Sequence, residues 1–218
     1  MSDLYGDRHR QLQDRFETRQ LADRIEQAIV GDQLSEQTQA FVASRDMFFL
    51  STIDHQGRPT VSYKGGDPGF LRVVNERELA FPSYDGNGMY LSLGNIAGNP
   101  QVGLLLIDFE NPLRVRIQGT AAIIADDPLL AEYPEAELVV RVAVSQTWIN
   151  CPRYIHRYRK EASSRYVPRP ECATPYAEWK RIDFLQDALA PKDAGRAATA
   201  GGTLSMEEWA AMVGRGEG

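Results

Sequence analysis

The chain has 218 residues, of which 43% are hydrophobic and 25% charged, proportions typical of soluble globular proteins. Its 30 Asp and Glu residues outnumber its 24 Lys and Arg residues, and the net charge of −6 argues against a general nucleic-acid binder or an anionic-membrane binder. No apolar run approaches the roughly 20 residues that span a bilayer, and the first residues lack the pattern of a secretory signal. We therefore expect a cytoplasmic protein with no nucleic-acid or membrane partner.

The first part of the chain has sequence patterns typical of helices. Residues 8–30 contain no Gly or Pro, and their apolar side chains recur mainly at intervals of four, which predicts one amphipathic helix: Leu12, Phe16, Leu21, Ile25 and Ile29. Gly31 and Asp32 end this helix, and Ser35 is predicted to cap a second helix that runs to about Ser44. Both helices are interpreted as covers for a sheet edge or a dimer interface.

Strand patterns follow from Met47. The runs MFFLSTI and RPTVSY, joined by DHQG, predict a β-hairpin. Further strands are predicted at FLRVV, ELAFPS, QVGLLLI, LRVRIQGTAAII and AELVVRVAVSQTWI, with one helical insertion near 89–97. Five to seven strands without regular crossover helices predict a mainly β (α+β) fold, a mostly antiparallel barrel with flanking helices.

A basic and aromatic segment follows residue 150, in which arginines alternate with tyrosines. Such a segment can bind phosphate and stack bases, or it can form a subunit interface, and we favour the interface. Residues 188–202 are rich in Ala and Gly, as linkers are. Ser205 and Glu208 have capping-box spacing before a short helix. We expect a helical extension at 1–34, a barrel domain at 35–187, and a linker with a C-terminal helix at 188–218.

Metal and nucleotide motifs are missing from the sequence. Cys151 and Cys172 are far apart, and the three histidines form no closely spaced pair, so we expect no metal site. Neither a GxGxxG motif nor a Walker loop occurs. Two glycine-rich loops, at 62–69 and 84–89, offer backbone N–H groups, a lysine, a serine and an asparagine amide. These groups together suit a planar ligand that carries phosphate.

Residues 43–124, together with NCPRYI at 150–155, resemble the pyridoxamine 5'-phosphate oxidase-like family of FMN-binding split barrels. The most specific elements are the DHQGRP hairpin, YKGGDPGF, DGNGM and LGNIAGNPQVGLLLID. The resemblance implies a six-stranded antiparallel split β-barrel that forms a homodimer, with FMN held at the subunit interface. It implies that FMN is bound by residues of the glycine loops, the helical insertion and the later strands: Ser62, Tyr63, Lys64, Gly65, Ser83, Tyr84, Asn87, Met89, Leu93, Asn95, Ile96, Arg114, Arg116, Trp148 and Cys151. No catalytic side chain is predicted.

Two departures from the family pattern bear on activity. Asn87-Gly88-Met89 stands where the oxidases proper carry a Ser-Arg-Lys cluster, so phosphate binding would depend on Lys64, Arg72 or a partner arginine. The Arg-x-His-Asp-Arg element that grips the substrate phosphate is absent after Trp179. Efficient oxidation of pyridoxamine 5'-phosphate is therefore not expected.

Three functions remain open from the sequence. The first is an FMN-dependent oxidoreductase that acts on a small molecule or a reduced nicotinamide. The second is a non-catalytic FMN-binding or redox-responsive protein that acts through a partner contact. The third keeps the barrel but exchanges FMN for a deazaflavin or haem, and the scarcity of histidine weighs against haem.

Overall fold

The computed structural model describes residues 4–218, which form two compact units. The first unit comprises residues 4–84 and 90–161, and the second comprises 85–89 and 162–218. The helices are α1 (Asp7–Arg15), α2 (Arg19–Ile29), α3 (Glu36–Ala43), α4 (Leu91–Gly98), α5 (Arg196–Thr199) and α6 (Met206–Gly214). The strands are β1 (Val30–Gly31), β2 (Met47–Ile53), β3 (Pro59–Gly65), β4 (Arg72–Asn75), β5 (Glu78–Ser83), β6 (Gln101–Asp108), β7 (Leu113–Ile124) and β8 (Leu138–Asn150).

The prediction of a single helix at 8–30 was wrong, because the chain forms α1 and α2 instead. Glu17, between them, adopts a left-handed backbone with φ of 57°, which breaks the helical hydrogen-bond ladder. No residue of either helix is buried. The predicted cap of α3 is confirmed, since Ser35 Oγ accepts a hydrogen bond from the Thr38 backbone N–H at 3.2 Å.

The first unit is built on an antiparallel sheet with the strand order β3-β2-β6-β7-β8-β5-β4, and β1 adds to β8. The sheet does not close on itself, as expected of a split barrel. The predicted hairpin is confirmed as β2 paired with β3, with Phe48 opposite Lys64 and Leu50 opposite Ser62. The mainly β class and the split-barrel architecture are both confirmed. Within the described residues the sheet has eight strands where six were expected, among them the two-residue β1, which is too short to show an alternating pattern.

Period-two alternation decides which side chains reach the core. Along β2, Phe48, Leu50 and Thr52 are buried and the residues between them are not. Phe48 is fully buried, stacks on Phe70 with ring centroids 5.7 Å apart, and meets the edge of Phe81 at 5.2 Å. Aliphatic residues from β5, β6, β7 and β8 complete one continuous apolar core.

The register between β7 and β8 shifts at Gly119, because β8 has an extra, unpaired residue there, Ser145. A Cβ atom at residue 119 would lie 2.3 Å from the Ala143 carbonyl oxygen, closer than any side chain permits. Only glycine fits this close approach of the two strands.

The second unit contains α5, α6 and two short 3₁₀ helices at Glu178–Arg181 and Asp183–Leu185. The predicted capping box is confirmed in α6, where Ser205 Oγ accepts from the Glu208 N–H at 3.1 Å and Glu208 Oε2 accepts from the Ser205 N–H at 2.7 Å. Residues 188–202, whose composition is that of a linker, include α5 and the buried Asp193 and Ala197. Asp193 pairs with Lys180 at 2.7 Å, which ties this segment to the 3₁₀ helix at Glu178–Arg181.

Candidate functional site

Helix α4 is fastened to β2 and β3 by hydroxyl and amide groups. Asn95 Nδ2 donates to Thr52 Oγ1 at 3.0 Å and to Thr60 Oγ1 at 3.1 Å, and these two hydroxyls lie 2.8 Å apart. The Ser62 and Ser92 hydroxyls also share a hydrogen bond of 2.8 Å. The sequence placed Asn95 and Ser62 at a cofactor, and in the structure both side chains join α4 to the hairpin. Their hydrogen bonds fix the helix beside β3.

The glycines after Lys64 leave room for neighbouring aromatic rings. A Cβ atom on Gly65 would lie 2.7 Å from the Tyr63 ring, and one on Gly66 would lie 2.4 Å from the Phe70 ring. The sequence predicts that the loop at 62–69 offers backbone N–H groups to a ligand. In the structure the chain's own aromatic rings occupy the space beside Gly65 and Gly66. The glycines therefore support packing at the end of β3.

Lys64 differs from the other lysines of the chain. Lys160 pairs with Asp46 at 2.5 Å, Lys192 with Asp85 at 2.8 Å, and Lys180 with two carboxylates. Lys64 is half-buried and has no ion pair or side-chain hydrogen bond with any residue in 4–218. Burial lowers the pKa of its ammonium below the ordinary value, and no carboxylate compensates.

The core-facing side of β3 also carries the hydroxyls. Lys64 lies opposite Phe48, Ser62 opposite Leu50, and Thr60 opposite Thr52, so all three share the face of β3 that looks toward the core. A half-buried cation therefore follows two hydroxyl groups along one face of the strand. Because both hydroxyls already bond to α4, Lys64 is the member of this row that is left to bind an anion.

The remaining predicted residues between positions 83 and 96 fall into both units. Ser83 ends β5 and is half-buried, and burial raises the pKa of the neighbouring Tyr84 phenol. Leu93 packs against the core and Ile96 is part of it. Asn87 and Met89 belong to the second unit, where Asn87 Oδ1 accepts from the Met89 N–H at 3.1 Å.

The predicted residues of β7 and β8 lie on the outer face of the sheet. Val115 and Ile117 are buried in the core, so Arg114 and Arg116 point the other way. The register sets Arg114 opposite Asn150 and Arg116 opposite Trp148. Arg116 is exposed and forms no ion pair or hydrogen bond with the part of the chain that the structure describes. Its guanidinium is free to meet an anion.

Arg72, the other candidate for a phosphate contact, already forms an ion pair. Its Nη1 pairs with Glu132 Oε2 at 2.5 Å, and its guanidinium lies 5.9 Å from the centroid of the Tyr133 ring. The pair neutralises much of its charge, and Lys64 is the better candidate.

The cysteines and histidines form no cluster. Cys151 and Cys172 are free and exposed, and Cys151 Sγ accepts a weak hydrogen bond from the Arg153 N–H at 3.4 Å. Between residues 4 and 218, no three His, Cys, Asp or Glu side chains gather as metal ligands would. Nor does any helix in that range have the length and apolarity to cross a bilayer.

Part of the basic and aromatic segment packs within the first unit. Arg157 Nε donates to the Glu110 carbonyl oxygen at 2.9 Å, and the Tyr158 ring meets Phe109 at 5.5 Å. Lys160 pairs with Asp46, as noted above. Tyr154, by contrast, is 89% exposed and adopts a left-handed backbone.

Sequence reasoning missed Asn150. Its Oδ1 atom is buried without a hydrogen-bond partner among the described residues, and the same is true of Nε of Arg114 beside it. The signal was available, because Asn150 opens the NCPRYI sequence on which the resemblance partly depends. Its pairing with Arg114 required the strand register.

Comparison with known proteins identifies the family. The sequence profile described as pyridoxamine 5'-phosphate oxidase matches residues 34–165, more than half of the chain. No curated protein matches the sequence.

Several solved structures are similar to about half of the chain at low identity. HupZ of Group A Streptococcus is 15% identical over 53% of this chain and 92% of its own, with a TM-score of 0.44. A candidate pyridoxamine 5'-phosphate oxidase from Lactobacillus delbrueckii is 24% identical over 54% and 95%, with a TM-score of 0.45. HutZ, described as a heme storage protein of Vibrio cholerae, is 19% identical over 53% and 94%, with a TM-score of 0.39. On the strength of the profile match, the chain belongs to the pyridoxamine 5'-phosphate oxidase family.

Proposed function

We propose that the protein binds FMN and acts as an FMN-dependent oxidoreductase on a small-molecule substrate. The observation that carries the proposal is Lys64, a half-buried ammonium that lacks an anionic partner in residues 4–218. Burying an uncompensated charge is unfavourable, and such groups are found where a ligand supplies the counter-charge. FMN carries a phosphate, and its reduced ring is an anion, so it can supply the counter-charge that Lys64 lacks.

Bound FMN would supply hydride-transfer chemistry, and the chain would supply binding, orientation and electrostatics. Lys64 would bind an anionic part of the cofactor. Ser83 and Tyr84, at the end of β5, are the proposed contacts for its phosphate end. The hydrogen bonds of Asn95 and Ser62 would hold α4 and β3 in fixed positions, so that the site needs little reorganisation on binding.

The two faces of the sheet support a site shared by two copies. Lys64 lies on the core-facing side of β3, whereas Arg114 and Arg116 lie on the outer face of β7. One flavin could meet both sets only if a second copy supplies one of them. We therefore propose a homodimer in which each FMN contacts Lys64 of one protomer and the outer-face arginines of the other.

The direct test is a flavin titration. Purified protein, extracted and reloaded, should bind FMN with quenching of flavin fluorescence and should sediment as a dimer. Anaerobic addition of reduced nicotinamide should bleach the bound flavin if the protein is an enzyme. A protein that binds FMN but whose flavin is not bleached by reduced nicotinamide would instead support the non-catalytic flavin-binding function. A spectrum that shows only deazaflavin or haem, with no FMN binding, would contradict the proposal.

Variants of Lys64 sharpen the test. Lys64→Ala should weaken FMN binding by about 1–3 kcal/mol, the value of a charge-assisted hydrogen bond, and Lys64→Glu should weaken it further by repulsion. The matched control is Lys160→Ala, which removes the same charge from the same unit at an exposed ion pair. Equal FMN retention in all three variants would contradict a role for Lys64.

Pyridoxamine 5'-phosphate is not the proposed substrate. The Arg-x-His-Asp-Arg element is absent from the sequence, and loose anchoring of a substrate alone costs about 10²-fold in rate. FMN-loaded protein incubated with pyridoxamine 5'-phosphate in air should form pyridoxal 5'-phosphate far below a rate of ~10 per second.

A further inference from the structure

The outer face of the sheet carries an unpaired donor beside an unpaired acceptor. Arg114 and Asn150 are directly opposite each other in the antiparallel register of β7 and β8. Nε of Arg114 and Oδ1 of Asn150 are both buried, and neither has a hydrogen bond within residues 4–218. Buried polar atoms are nearly always paired, so two neighbouring exceptions indicate that a partner is missing.

Neighbouring residues extend this face. Two residues along each strand, Arg116 lies opposite Trp148, which gives a free guanidinium next to an indole ring. On the other side of β7, Leu105 and Ile107 of β6 lie opposite Arg116 and Arg114. The face therefore combines an aromatic ring and apolar side chains with one donor, one acceptor and a cation. Planar heteroaromatic ligands are recognised by this combination.

The Arg114 donor and the Asn150 acceptor determine which edge of a heteroaromatic ring could bind. Arg114 Nε–H requires an acceptor, and Asn150 Oδ1 requires an N–H donor next to it. The pyrimidine part of a flavin presents this pair, because its ring N3–H lies between two carbonyl oxygens. The phosphate of FMN carries no N–H, so it could satisfy the arginine but not the asparagine.

We propose that Asn150, together with Arg114, recognises the pyrimidine edge of the flavin. Asn150 Oδ1 accepts a hydrogen bond from the ring N3–H, and Arg114 Nε–H donates to an adjacent ring carbonyl oxygen. This inference rests on the proposed function, and it adds a residue that discriminates a flavin by its N–H group. Asn150 is thus a specificity-determining residue of the binding site.

The test compares FMN with FMN methylated at N3, which has lost the ring N–H. The full-length protein should bind FMN about tenfold more tightly than the N3-methyl compound in fluorescence titrations, the effect of losing one hydrogen bond. Asn150→Ala should bind both compounds with the same affinity. Asn150→Asp keeps an acceptor oxygen and should retain the preference for FMN.

The matched control is Gln146→Ala, an amide lost from the same face of β8 four residues earlier, which should leave the tenfold preference intact. Circular dichroism and thermal melting of each variant verify that it folds. Equal binding of the two compounds by the wild-type protein, or a preference that persists in Asn150→Ala, would overturn the inference while FMN binding stands. A lowered melting temperature with an unchanged preference would mean that Asn150 bonds within the protein, and would also overturn it. Absence of FMN binding in the wild type would overturn the proposed function itself.

Discussion

The two units of the chain are stabilised by different forces. The first has a continuous core in which Phe48, Leu71 and Ile117 are essentially inaccessible to solvent. In the second, the buried apolar side chains of appreciable size are few within the described residues, with Ile182 at 3% exposure among them. Its centre is ionic instead. Lys180, 5% exposed, donates to Asp193 at 2.7 Å and to Asp85 at 2.6 Å.

This difference predicts how the stability of each unit responds to substitution. Apolar burial is non-directional, and a core tolerates changes that conserve its volume. A buried ion pair is worth little relative to an apolar replacement of both partners, but losing one partner leaves a charge uncompensated. Burial disfavours the charged form of Lys180, yet the hydrogen bonds to Asp193 and Asp85 raise the pKa of its ammonium above the ordinary value. The second unit thus depends on a few specific contacts.

The largest effect is expected in the apolar core. Phe48→Ala removes a fully buried ring that contacts Phe70 and Phe81, and should lower the free energy of unfolding of the first unit by about 3–5 kcal/mol. Denaturant unfolding combined with peptide-level hydrogen exchange would measure the loss in β2 and β5. Phe48→Leu, which retains much of the volume, should cost clearly less. Equal costs for both variants would contradict a packed core at this position.

A somewhat smaller effect is expected for the ionic centre. Lys180→Met should destabilise the second unit by about 3 kcal/mol, because Asp193 stays buried without its cation. The double variant Lys180→Met/Asp193→Asn removes both charges and should recover part of the loss. Hydrogen exchange of peptides from residues 176–199 would measure both the loss of stability and its partial recovery.

Lys192→Met is the control for that experiment, since Lys192 is 51% exposed and its ion pair with Asp85 should be worth less than about 1 kcal/mol. If the double variant is less stable than the single one, the centre is not held by charge pairing in the way described.

The smallest effect is the response to acid. Although burial opposes it, hydrogen bonds from Lys180 and Lys192 hold the pKa of the Asp85 carboxyl below its usual range. A lowered folded-state pKa means that the stabilisation is complete above about pH 4, the unfolded value, and is lost as the pH falls through the folded value. Asp85→Asn should flatten this acid-dependent loss in the second unit and leave the first unit unchanged. Hydrogen exchange between about pH 2 and 6 would test it, and an unaltered slope would contradict the assignment.

The sequence predicted the strands and the hairpin because alternation with a period of two is a local property. MFFLSTI became β2 with its alternate residues buried, and Ser35 became the cap of α3. The break between α1 and α2 was not predicted, because the apolar spacing continues past Glu17 while its backbone turns left-handed. The proposed division at 1–34, 35–187 and 188–218 stays a prediction.

The candidate site was predictable as a set of residue types but not as an arrangement. That Lys64 follows hydroxyl-bearing residues with a period of two is visible in the sequence. Lys64 lacks a counter-ion, whereas Lys160 and Lys180 each have one. Those ion pairs join residues more than ten positions apart in the sequence, so local patterns do not reveal them. For the same reason Asn95 was taken for a cofactor contact, although its amide joins α4 to the hairpin.

The sequence by itself determined the family, the mainly β class, the hairpin, the Ser35 cap and the capping box at Ser205, because motif order, alternation and capping depend on near neighbours in the chain. The tertiary structure decided which polar groups are already paired and which are left without partners. It set Arg114 opposite Asn150, 36 positions away, and put Lys64 and Arg114 on opposite faces of one sheet. Strand register and sheet order join residues that are distant in sequence, and local propensity carries no information about such pairings.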